Sequence, residues 1–162
     1  GTIASNIKFG DENISDEDMY KAAEIAQALE FIEGKEDKFD SEISQGGSNV
    51  SGGQKQRLSI ARALAKNPKI LLFDDSFSAL DYKTDVKLRK SLREKMQDTT
   101  TIIVAQRIAT ILNADKIIVM NEGKVVGIGK HQELLKTCPT YLEIAESQLS
   151  EEELAKGGKH NE

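Results

Sequence analysis

Two short apolar runs, ILLF at 70–73 and TTIIVA at 100–105, flank a stretch with helical periodicity, and this order constrains the fold more than any other feature of the chain. Between them Asp81 is placed to cap YKTDVKLRKSLREKM, in which Tyr82, Val86, Leu88, Leu92 and Met96 share one broad face. Strand, helix, strand implies a parallel pair, because the crossover helix returns the chain to the same edge of the sheet in the same direction. Continuous apolar runs of this length predict strands buried on both faces. The first run ends in Asp74-Asp75, and open α/β sheets place their ligands at the carboxyl ends of such strands.

The flanks extend the α/β alternation. Ser15 opens SDEDMYKAAEIAQAL with Asp16, Glu17 and Asp18 in the first turn, where negative charge suits the helix dipole, and Met19, Ala22, Ala23, Ala26 and Leu29 line one face. From Gly34 to Gly53 the chain turns polar and richer in glycine, which predicts a loop. A second helix follows, with Ser51 and Gln54 matching an S-x-x-Q capping box, Leu58, Ala61, Leu64 and Ala65 as its stripe, and Asn67-Pro68 as its stop. Further on, KIIVM and KVVGI flank Asn121-Glu122-Gly123 as a hairpin, and short helices are predicted around 132–136 and 140–147. The tail EEELAKGGKHNE is polar and expected to fray.

Composition excludes several classes of partner. With 162 residues, 38% hydrophobic, and a formal charge of −5, the chain suits a domain with a real core. Its pI near 5.2 and the absence of a basic stripe argue against nucleic acid. Cys138, beside Pro139, is the only cysteine, so no internal disulfide can form, a reducing compartment is expected, and the side chain reads as small and unreactive. No apolar run approaches the roughly eighteen residues of a membrane span, and no signal peptide precedes the first helix. The start at Gly1 suggests a piece of something longer. His131 and His160 lie in polar segments without metal-ligand partners at useful spacing and read as surface residues. Lys83, Lys87, Arg89, Lys90 and Arg93 give one helix a basic side, read as a solvated face, with an anionic partner as the alternative.

A helix that opens on Ser51-Gly52-Gly53 has two readings. Unpaired N–H groups, the positive end of the helix dipole and glycines that admit a ligand close to the backbone suit a phosphate. Alternatively Ser51 merely caps, and the glycines merely turn. The ordered set SGGQKQR, ILLFDD, SALD and VAQR decides between them, because it resembles the nucleotide-binding domain of ABC transporters from Gly1 to about Gln148. That resemblance implies that Ser51, Gly52, Gly53 and Gln54 form the signature motif that binds ATP, with Val50 in place of the usual Leu. It further implies that Asp74 holds Mg2+ through water, and that Ser78 to Asp81 form the D-loop. GTIASNIKFG is similar to the segment after the exporter Q-loop, and SEISQGG at 41–47 resembles the exporter X-loop that meets the coupling helices of the membrane domain.

Three departures refine the resemblance. A P-loop requires G-x-x-x-x-G-K-[ST], and the Gly-Lys pairs at 34, 123, 129 and 158 are followed by Glu, Val, His and His. Both P-loop and Q-loop are therefore expected upstream of this chain, together with a transmembrane domain. Asp75 stands where the family places the glutamate that polarises the attacking water, one methylene short of it. Gln106 stands where the family has its switch histidine, and an amide cannot carry a proton. Together Asp75 and Gln106 resemble the weak site of heterodimeric exporters, in which the signature of one ABC subunit closes over the ATP of a second.

The resemblance thus implies an α/β fold comprising a partial P-loop NTPase (RecA-like) parallel sheet, a helical signature subdomain, and a terminal hairpin, over 1–148, with 149–162 as a polar tail. It implies an ATP-binding portion of an exporter at the cytoplasmic face of a cell membrane, inactive as an isolated piece and poorly stable or self-associating alone. A soluble ABC-type ATPase without transport and a regulatory nucleotide-binding module without turnover remain the alternatives.

Overall fold

The computed structural model describes residues 1–11, 13–150 and 153–154; His160 and most of the tail lie outside them. The chain forms two compact units, Gly1–Ile102 and Ile103–Glu162.

The first unit begins with a short helix that the sequence does not announce, α1 (Ile3–Lys8), whose N-cap Thr2 accepts from the Ser5 amide at 3.1 Å. Helix α2 (Asp16–Ile25) starts at Ser15 as its cap predicts, with Ser15 Oγ accepting from the Asp18 amide at 3.0 Å. It does not run on to Leu29. Gln27 adopts a left-handed conformation with φ 57°, and α3 (Leu29–Glu33) is a separate segment. Two single 3-10 turns, Lys38–Asp40 and Gln45–Gly47, punctuate the predicted loop before α4 (Gly52–Leu64). Both α1 and α2 pack on α4. The seam consists of Ile3, Ile7, Met19, Ala22, Ala23, Leu58, Ala61 and Leu64, all buried, and its alanines let the backbones approach closely. Arg62 stitches this layer together by donating from Nε to the Asn6 carbonyl at 2.7 Å while its guanidinium lies 4.6 Å from the Phe9 ring centroid.

Strand β1 (Ile70–Asp74), helix α5 (Tyr82–Lys95) and strand β2 (Thr100–Val104) follow in the predicted order, and β1 pairs with β2 in a small parallel sheet. The pairing starts where the Thr100 amide donates to the Lys69 carbonyl at 2.9 Å. Burial corrects the sequence reading. Leu71 and Phe73 are buried, but Ile70 and Leu72 are 64% and 66% exposed, and Ile102 is 49% exposed. An apolar run read as buried on both faces is covered on one, since burial alternates residue by residue along β1. On α5 the apolar face is narrower than predicted, with Leu88 and Leu92 buried and Tyr82 and Val86 exposed.

The second unit contains α6 (Ile108–Ile111), the antiparallel pair β3 (Ile117–Asn121) and β4 (Lys124–Gly129), and two helices, α7 (His131–Thr137) and α8 (Pro139–Gln148). The hairpin turns at Gly123, φ 74°, and its register shifts between Val119 and Met120. Ile108, Ile117, Val119, Leu134, Cys138, Tyr141 and Ala145 form the core of this unit. Gly127 is where helix and strand meet, since a Cβ there would lie 2.8 Å from Cys138 Sγ. Cys138 is buried, in keeping with a small packing side chain.

His131 corrects another sequence reading. It is 4% exposed rather than on the surface, and its Nδ1 lies 2.8 Å from the Tyr141 hydroxyl. A polar neighbourhood in the sequence did not reveal that the first residue of α7 turns inward onto α8. Among the described residues no helix is long and apolar enough to cross a membrane.

Candidate functional site

Position 51 is extended, φ −69° and ψ 164°, and that geometry lets one side chain close the predicted capping box with Gln54. Ser51 Oγ accepts from the Gln54 amide at 3.2 Å, and Gln54 Oε1 accepts from the Ser51 amide at 3.0 Å. The box leaves the amides of Gly52 and Gly53, the first two of α4, without intrahelical acceptors. The two glycines face different surroundings. Around a Cβ at Gly52 there is nothing within 4 Å, whereas one at Gly53 would lie 3.4 Å from the Ala79 carbonyl oxygen. Gly52 therefore opens to an approaching ligand, while Gly53 seats the helix on the loop that follows β1.

That loop starts at the carboxyl end of the strand. Asp74 and Asp75 are exposed, and Asp75 takes a left-handed conformation with φ 47°, which Asp adopts more readily than most residues. Its carbonyl accepts from Ser78 Oγ at 3.0 Å, and Phe73 and Phe77 stack with ring centroids 5.2 Å apart, so strand end and loop are held as one turn. Asp81 closes it as the N-cap of α5, accepting from the Thr84 amide at 3.0 Å and from Thr84 Oγ1 at 2.7 Å. The Thr84 hydroxyl and amide, with Arg57 adding its charge, hold the Asp81 carboxyl below its usual range.

Arg57 is the residue of this region that the sequence reading missed. Its Nη1 donates to the Gln27 carbonyl at 2.7 Å and its Nε to the Gly53 carbonyl at 3.4 Å, with the guanidinium 4.9 Å from the Phe31 ring centroid. One side chain thus ties the first turn of α4 to the break between α2 and α3. Lys55 makes a second tie, donating to the Gly46 carbonyl at 2.9 Å. No periodicity marks either residue; a basic pair two and four positions after Gly53 was the only available signal.

The structure brings Ser51, Gly52, Gly53 and Gln54 beside the 78–81 loop and places Asp74 and Asp75 at the head of that same loop. Gln106 belongs to the second unit and stands in the turn between β2 and α6, with its side chain exposed. The donors present suit a phosphate: free helix-end amides, a hydroxyl and an open glycine. Among the described residues, no group of three or more His, Cys, Asp or Glu is placed to hold a metal ion.

A parallel strand pair whose first strand ends in two carboxylates, with a glycine-opened helix seated on the turn that follows that strand, defines an α/β nucleotide-binding domain of the ABC type. Residues 2–78 match the family described as ABC transporter. An uncharacterized ABC transporter ATP-binding protein of Mycobacterium tuberculosis is 46% identical over 151 residues, which cover 91% of this chain and 26% of the relative. The ATP-dependent lipid A-core flippase of Chromobacterium violaceum is 43% identical over 150 residues, 93% of this chain and 26% of the relative. A solved structure of a bacterial Atm1-family ABC exporter with ATP bound superposes with a TM-score of 0.86 at 38% identity, over 93% of this chain and 26% of that one. The chain belongs to the ABC transporter ATP-binding domains, and it spans about a quarter of the length of the relatives it matches.

Proposed function

We propose that this chain is the signature-bearing part of an exporter subunit, and that Ser51, Gly52, Gly53 and Gln54 clamp the γ-phosphate of ATP held by a second ABC subunit. The observation that carries the reading is the open space at Gly52 at the head of a helix whose first amides are free, beside a loop that fixes the helix end through Gly53. Ser51 is suited to the task because its oxygen is occupied by the cap while its hydroxyl proton remains available to donate. The subunit would work at the cytoplasmic face of a membrane, joined to a transmembrane domain, with closure over nucleotide driving the transport change.

The chain's own site is the weaker one of a heterodimer. Asp74 would hold Mg2+ through water, and the metal would neutralise charge on the phosphates. Asp75, one methylene shorter than glutamate, holds its carboxylate back from the attacking water, and Gln106 can donate to a phosphate oxygen but cannot carry charge to it.

The test uses two variants in the full-length chain assembled with its partner. Ser51→Ala removes both cap and donor, whereas Ser51→Asp keeps an equally good cap and sets a negative charge against the phosphate. Turnover at the partner's site is expected to collapse in both, with stability preserved in Ser51→Asp. Unchanged turnover in Ser51→Asp would overturn the reading.

A further inference from the structure

The side chain of Gln148, last residue of α8, spans the turn that carries Gln106. Its Nε2 donates to the Gln106 carbonyl at 2.8 Å, and its Oε1 accepts from the Ile108 amide at 2.9 Å. Only one orientation of the amide satisfies both bonds, since flipping it would face donor with donor and acceptor with acceptor. Residues 106 and 108 lie on either side of Arg107, the N-cap of α6, and Arg107 makes no side-chain capping bond of its own. Helix α6 is a single turn whose first amide would otherwise have no intrahelical acceptor. Its cap is therefore supplied from forty residues away in sequence.

The anchor of this clamp is firm at both ends. On α8, Tyr141 and Ala145 are fully buried, and on α6, Ile108 is buried in the same cluster. Between those anchors the Gln106 side chain is exposed and makes no hydrogen bond among the described residues, so the direction it takes follows from its backbone. We infer that Gln148 is a positioning residue: by holding the Gln106 carbonyl and the Ile108 amide together, it fixes the turn from which Gln106 reaches nucleotide. The end of α8 thereby acts through Gln106 without touching the ligand. This rests on the reading of Gln106 given above.

The test separates the two hydrogen bonds, in the full-length chain assembled with its partner and with the partner's own hydrolytic carboxylate replaced. Gln148→Met removes both bonds. Exchange of the Ile108 amide is expected to become about tenfold faster, as loss of one protecting hydrogen bond implies. Turnover at this chain's site should fall about tenfold through kcat with KM unchanged, the pattern of a misplaced group. Gln148→Glu retains the acceptor but cannot donate when ionised, so Ile108 should stay protected while turnover still falls.

Unchanged exchange in Gln148→Met would overturn the clamp. Faster exchange in Gln148→Met, with wild-type turnover in both Gln148 variants while Gln106→Ala lowers turnover, would overturn the positioning role. Should Gln106→Ala itself leave turnover unaltered, the assignment of Gln106 fails, and the positioning role fails with it even if Ile108 exchange behaves as expected.

Discussion

The carbonyl oxygen of Ala79 lies 3.4 Å from the place a Cβ would occupy on Gly53, while the same construction at Gly52 meets nothing within 4 Å. Adjacent glycines therefore serve different ends, one packing and one access. Gly53→Val forces its branched carbons onto the Ala79 carbonyl and is expected to cost about 1–2 kcal/mol in equilibrium unfolding of the complete ATP-binding domain. Gly52→Ala is expected to leave that stability within about 0.5 kcal/mol of wild type or slightly above it. On the proposed function, the same Ala methyl obstructs the phosphate, so partner-site turnover in the assembled transporter falls sharply although the fold is untouched.

Arg57 separates charge from shape. Its fork serves the Gln27 and Gly53 carbonyls, and its plane covers Phe31. A lysine keeps the charge but cannot reproduce the planar fork. Arg57→Lys is expected to cost most of what Arg57→Ala does, about 1–3 kcal/mol, in chemical denaturation of the same domain. Near-wild-type stability in Arg57→Lys would show that charge alone suffices.

Asp75 combines a backbone requirement with a chemical one. At φ 47° the position favours Asp over Glu, so Asp75→Glu is expected to reduce stability by about 1 kcal/mol. Paired with Gln106→His, it restores reach and a titratable group. On the proposed function, turnover at the chain's own site then rises by about ten- to a hundredfold. A flat ATPase rate in the double variant would favour the regulatory module without turnover.

His131 gives the second unit a pH dependence. Burial lowers its pKa from the ordinary value of 6.5. Burial also pushes the Tyr141 hydroxyl up to about 12, so the phenol stays protonated beside it. Below pH 6.5 the unfolded chain binds a proton that the folded chain resists, so stability falls as pH falls through that window and is fully present above it. The Ile117 and Tyr141 signals in a pH series of amide exchange report this unit directly. His131→Phe should abolish the acid-side loss attributable to this group, and an unchanged acid profile would refute the assignment. Tyr141→Phe leaves Nδ1 buried without its partner and should cost about 1–3 kcal/mol.

Much of the fold was legible because it is local. Ser15, Ser51 and Asp81 cap the helices they were expected to cap, the hairpin turns at Gly123, and strand, helix, strand yields a parallel pair. These outcomes depend on a residue and its neighbours within one turn, where hydrogen-bond reach and side-chain period act directly. The Ser51–Gln54 segment, the strand end and the 78–81 loop stood out for the same reason, as short contiguous stretches.

The rest depends on residues far apart in sequence. The interruption at Gln27, the inward turn of His131 and the one-sided covering of β1 carry no local signature, because apolar spacing says that a face is apolar without saying what covers it. Arg57 and Gln148 became significant only through carbonyls thirty and forty-two positions away. The sequence by itself determined the caps, the order of elements and the presence of the Ser51–Gln54 motif, since each is written in a few consecutive residues. Tertiary structure alone decided that Gly53 packs while Gly52 stays open and that Gln148 holds the turn of Gln106, because both follow from distances between segments that the chain brings together only on folding.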